Sequence, residues 1–166
     1  MTNGDQDHGG TAPVGEVSPE DYSSFIWQIE LADIWLRSSH ISNHHGPEFP
    51  PSATMRIEDD PSWENQPGGF RVNHKYKVQI GPSTQPYADI SVIFALDYTS
   101  EQRMNDAIFS VFQQSNLPTH TWPYLREFLA SITGRMNWMP FTLPTMKRGP
   151  NPAAGNSPSK EDQKAP

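Results

Sequence analysis

Residues 70 to 98, FRVNHKYKVQIGPSTQPYADISVIFALDY, decide the fold. Phe70, Val72, His74, Tyr76, Val78 and Ile80 alternate with Arg71, Asn73, Lys75, Lys77 and Gln79. A strict period of two places one set on a buried face and the other toward water, which is the signature of a strand. GPSTQP then supplies turn chemistry. In the strand that follows, residues 87–98, Ala88, Ile90, Val92, Phe94, Leu96 and Tyr98 share one face, and Ile93 and Ala95 make the other partly apolar. The link is too short for a crossover, so the two strands pair as an antiparallel hairpin.

Downstream of the hairpin the period changes. Met104, Ala107, Ile108, Val111 and Phe112 follow helical spacing, and Thr99 and Gln102 have the spacing of a capping box. Pro118 marks a break, after which Thr121 is placed to cap a second helix with Pro123 in its first turn. Gly134 sits where a C-terminal helix glycine belongs. Upstream, residues 25–37 (FIWQIELADIWLR) alternate loosely and read as a strand. A polar loop over 38–52 follows, then a short strand, ATMRIE, over 53–58 and an exposed connection over 59–69. Strands first and helices after them make an α+β layout. No internal repeat is visible.

Composition sets the outer limits. The chain has 166 residues, only 34% of them hydrophobic, with 17 prolines and 11 glycines. Residues 1–20 and 148–166 hold little that burial would reward, so both are expected to be disordered tails around one folded domain over 21–147. The net charge is −7 and no basic stripe is present, which argues against nucleic acid as a partner. Cysteine is absent, excluding disulfides and thiol chemistry. The polar, acidic opening lacks a secretory pattern, and the longest apolar run, Val92 to Leu96, falls far short of the ~20 residues of a membrane span. A cytoplasmic protein without membrane insertion is expected.

Chemistry-bearing clusters are few. His40, His44 and His45 have a spacing that would hold Zn²⁺ or Ni²⁺ if the loop wrapped around the ion; the plainer alternative is an exposed polar loop. His74 lies on an apolar strand face and reads as a hydrogen-bonded core or interface group, and His120 as packing or capping. Glu58, Asp59 and Asp60 read as solvated. No nucleophile elbow and no phosphate-cradling glycine loop occurs, so neither an enzyme nor a cofactor is expected.

The end of the folded part is unusually greasy. Trp138, Met139, Phe141, Leu143 and Met146 are interrupted by Pro140 and Pro144, which rule out regular helix or strand. Two readings stand: these side chains fold back as core, or they line a groove for extended apolar segments, a task that suits repacking methionines and aromatics.

The run Trp122-Pro123-Tyr124-Leu125-Arg126-Glu127, after Asn116 and Pro118 and before Met139-Pro140-Phe141-Thr142-Leu143-Pro144, resembles the SecB family of protein-export chaperones. The resemblance covers roughly Phe25 to Met146. It implies a four-stranded antiparallel sheet with two C-terminal helices packed on one face. It also implies an ATP-independent holdase for unfolded or non-native polypeptides, among them preproteins for export, that needs neither nucleotide nor metal. Carried over, Tyr124, Phe128, Trp138, Met139, Phe141, Leu143 and Met146 would touch clients, and Ile93, Ala95, Ile108, Val111 and Phe112 would join subunits into a dimer or tetramer. Asp33 matches one acid of the family's docking face for the translocation motor, but the later acidic position falls on Arg37, and Ser91-Val92-Ile93 replaces another acid-bearing stretch. The methionine- and tryptophan-rich ending is closer to divergent SecB-like proteins, some of which protect an antitoxin, and this gives the alternative of a dedicated chaperone for one partner.

Overall fold

The computed structural model describes residues 17–48, 50 and 54–146; the expected tails, apart from residues 17–20, lie outside the described residues. Helix α1 (Pro19–Gln28) comes first, followed by β1 (Glu30–Asn43), β2 (Met55–Gln66), β3 (Gly69–Ile80), β4 (Ala88–Thr99), α2 (Asp106–Ser115) and α3 (Leu117–Arg135). The strands form one antiparallel sheet in the order β1-β4-β3-β2. The architecture is therefore α+β with a four-stranded sheet, as expected.

The hairpin forms as its alternation dictates, with Phe70 opposite Tyr98 and Ile80 opposite Ala88. Its apolar row faces the helices. Phe70, Val72, Tyr76, Val78 and Ile80 join Ile90, Val92, Phe94, Leu96 and Tyr98 in a core completed by Phe112, Leu117, Leu125 and Leu129. At the β2–β3 turn Gly69 is obligatory, because a Cβ there would lie 1.8 Å from the Tyr98 carbonyl oxygen.

Four local expectations are corrected. Residues 25–28 belong to a helix rather than to a strand. Ser18 caps α1 by accepting the Asp21 N–H at 3.1 Å, with Pro19 and two acids in the first turn, so residues 19 and 20 also leave the expected tail. α1 is a third helix on the covered face. Its Phe25 packs on Phe70, and its Tyr22 hydroxyl donates to Asn116 Oδ1 at 2.7 Å. β1 starts at Glu30 and runs through the expected histidine loop to Asn43, with irregular register at Ala32 and Arg37. β2 is twice the expected strand and includes Pro61, which an edge strand accepts.

The helices differ in their caps. Asn105, not Thr99, caps α2 by accepting the Ile108 N–H at 2.9 Å. α3 begins directly after α2, so Thr121 and Pro123 lie inside it. Its C-terminal left-handed residue is Asn137 (φ 63°) rather than Gly134. The Trp138 N–H reaches the Thr133 carbonyl and the Asn137 N–H reaches that of Gly134, each at 3.1 Å, the double bond of a Schellman stop.

Candidate functional site

What holds α3 to the sheet determines what it leaves exposed. Leu117, Thr121, Leu125, Leu129 and Thr133 form its buried stripe. At the centre of that stripe is a polar relay. Thr121 Oγ1 is 2.7 Å from the Tyr76 hydroxyl and 2.9 Å from His74 Nδ1, and His74 Nε2 is 3.0 Å from Asp59 Oδ2. His74 is completely buried. Burial pushes its pKa down and outweighs the opposing pull of Asp59, so the ring is neutral near pH 7. The Asp59 carboxylate only accepts, which places the ring proton on Nε2. Nδ1 then accepts from the Thr121 hydroxyl, whose one proton is shared with the Leu117 carbonyl at 3.1 Å and whose oxygen accepts from Tyr76. One histidine thus ties the edge strand β2 through β3 to α3. A second tie joins the Tyr98 hydroxyl to His120 Nδ1 at 2.7 Å, with burial lowering the His120 pKa and raising that of Tyr98. The core and packing roles expected of His74 and His120 hold.

The flank of α3 toward β1 is apolar and open. The Tyr124 and Phe128 rings lie 6.2 and 6.3 Å from that of Phe94. Leu36 is the cross-strand partner of Phe94 and is 46% exposed on the free edge strand, while Tyr124 is 42% exposed. Leu36, Phe94, Tyr124 and Phe128 therefore form an apolar strip where the helix leaves β1 uncovered. On the other flank, Thr119, Trp122, Pro123, Arg126, Thr145 and Met146 line a cleft of about 360 Å³.

The remaining expected client contacts divide. Met139 and Met146 are exposed, and Phe141 is half-buried. Trp138 and Leu143 are core, which removes them from the surface available to a client. The Trp138 indole donates to the Gly46 carbonyl at 2.9 Å and fastens the segment after α3 to the loop after β1. Leu143 is held inside by the adjoining bond from the Trp122 indole to the Pro144 carbonyl, 2.9 Å. Of the expected subunit contacts, Ile108 and Phe112 are buried within the subunit with Phe109, because α2 turns these groups into the core, and Ala95 is buried on the outer sheet face between Trp35 and Asn73. Ile93 is half-buried on the outer sheet face, and Val111 is exposed. Sequence reasoning missed Leu36, Trp122, Arg126 and Trp27, the last of them 87% exposed on α1.

Asp33 is exposed on the outer sheet face opposite Asp97. Asp97 is already engaged by Arg71 through bonds of 2.6 and 2.7 Å, and Arg37 projects onto this face to donate to Asn73. Lys77 and Lys75 of β3 stand opposite Glu58 and Asp60 of β2. Acids and bases on this face therefore alternate across β4, β3 and β2, while Asp33 of β1 faces another acid. The three loop histidines diverge: His44 pairs with Asp89 at 3.1 Å, His45 packs on Tyr87, and His40 lies on β1 beside Ser42. Among the described residues no group of three or more His, Cys, Asp or Glu is gathered as a metal site.

No family model matches the chain, and none of the curated proteins does. Its fold does have a relative among solved structures, the Mycobacterium tuberculosis Rv1957 SecB-like chaperone in complex with a ChAD peptide from the Rv1956 HigA1 antitoxin. That structure covers 75% of this chain and 95% of its own, with a TM-score of 0.66 at 21% identity. The fold is SecB-like. Among the described residues of this SecB-like frame, the exposed large apolar groups are Met139 and Met146 after α3, Leu36 and Tyr124 on the flank toward β1, Trp27 on α1 and Val111 on α2.

Proposed function

We propose that this protein is a holdase chaperone that captures extended apolar segments of non-native polypeptides without nucleotide. The observation that supports it is the open strip of Leu36, Tyr124 and Phe128 over Phe94 on a SecB-like fold. Covering such a strip gains about 25 cal/mol per Å² of apolar surface, without requiring any one client sequence. The exposed Met139 and, on the opposite flank of α3, Met146 add side chains that repack around different guests. The test is suppression of light scattering by a refolding client. Wild type should suppress it, and Tyr124→Ser combined with Leu36→Ser should lose most of that effect while remaining folded.

A second reading has its own support: the solved SecB-like relative holds an antitoxin peptide. On that reading the strip serves one cognate segment of an antitoxin, and a cognate peptide would displace generic unfolded chains at far lower concentration. Motor docking through Asp33 would rest on that one exposed acid, since Asp97, Glu58 and Asp60 on the same face lie beside bases. For self-association into a dimer or tetramer, Trp27 and Val111 are the exposed large apolar groups on α1 and α2 among the described residues, and solution mass is the measurement.

A further inference from the structure

The cleft on the other flank of α3 has a chemistry that the strip lacks. Its walls are Trp122, Pro123 and Met146, and among the described residues Arg126 is the only charged one in its lining. Arg126 Nε is buried and has no hydrogen-bond partner among the described residues. Among the described residues no acid lines the cleft, and Glu127, the next residue, is turned away from it by the ~100° step of a helix. The cleft is also pre-shaped, because the Trp122 indole is held by the Pro144 carbonyl at 2.9 Å.

A buried N–H without an acceptor is destabilising until something supplies one, and a guanidinium is best met by a carboxylate, which takes two of its N–H groups at once. From these observations we infer that the cleft receives an aspartate or glutamate side chain of the bound polypeptide, with a neighbouring apolar side chain seated on Trp122 and Met146. The inference rests on the chaperone reading and names the segment class preferred: apolar residues directly followed or preceded by an acid. Charge complementarity selects this occupant.

The test uses two fluorescently labelled peptides that differ in one residue, Asp against Asn beside a Leu-Phe pair, titrated with the full chain. The Asp peptide should bind about tenfold more tightly at low salt, and the gap should narrow as salt screens the partly exposed pair. Arg126→Gln should reduce the gap below twofold, and Arg126→Lys should restore part of it, with urea unfolding confirming that both variants fold. Equal binding of the two peptides to wild type overturns the inference and leaves the chaperone reading intact. If neither peptide binds, both fall. Equal binding together with a loss of solution mass in Arg126→Gln would assign the cleft to a second copy of the chain, which also overturns it.

Discussion

Thr121→Val is the substitution that probes the architecture most sharply. Valine keeps the shape of threonine but removes the hydroxyl that bridges Tyr76, at 2.7 Å, and His74, at 2.9 Å. Both partners lie at the sheet–helix interface, with Tyr76 3% and His74 0% exposed, so water does not replace the lost bonds. A buried polar group left without a partner costs about 1–3 kcal/mol, and two are created, so the expected loss is about 2–6 kcal/mol. Thr121→Ser keeps the hydroxyl and loses one methyl, for about 1 kcal/mol. Urea unfolding of the three proteins separates these cases: the midpoint of the valine variant should fall well below that of the serine variant with the slope unchanged. If valine is as stable as serine to within about 0.5 kcal/mol, the relay does not hold α3 to the sheet and the reasoning is wrong.

Acid should destabilise the fold. His74 and His120 both have pKa values lowered from 6.5 by burial, so below that value the unfolded chain takes up protons that the folded chain refuses. Stability should therefore fall as pH drops through about 6.5 and continue to fall to the lowered folded values, by at most about 1.4 kcal/mol per pH unit for each group. Urea titrations from pH 8 to about pH 5 check this, and constant or rising stability toward acid would contradict it. Trp138→Ala should cost about 3–5 kcal/mol as a core truncation, whereas Met139→Ala, at a side chain 69% exposed, should stay within about 0.5 kcal/mol in the same assay. Asn137→Gly should be neutral or slightly stabilising, because the residue sits at φ 63°, and Asn137→Val should cost about 1–2 kcal/mol by thermal unfolding.

The central hairpin was legible because each of its strands has one face covered by helices and the other wet, which writes the period directly into residues 70–98. α1 was hidden because Phe25, Ile26 and Trp27 favour strands and only Phe25 is fully buried. Its signal lay in the Ser18-Pro19-Glu20-Asp21 start. β1 was blurred by irregular register at Ala32 and Arg37, each of which reverses the side-chain alternation. The edge strand β2 is polar and contains Pro61, so it imitates a loop. In the candidate site, Tyr124 and Phe128 entered through the resemblance carried by the Trp122–Glu127 run rather than through local periodicity. Leu36 was not, because its exposure depends on where α3 crosses the sheet. Whether Trp138 and Leu143 are core or surface turns on contacts remote in sequence, such as the Gly46 carbonyl, and no local pattern carries that information.

One titration tests the exposed strip most directly. A fluorescently labelled, permanently unfolded polypeptide is mixed with the full chain, and binding is followed by anisotropy for wild type and for Leu36→Ser with Tyr124→Ser. A saturable isotherm for wild type, weakened about tenfold or more in the variant, is the predicted result. No binding by wild type, or equal binding by a folded variant, would show that the exposed strip beside α3 does not hold unfolded chains.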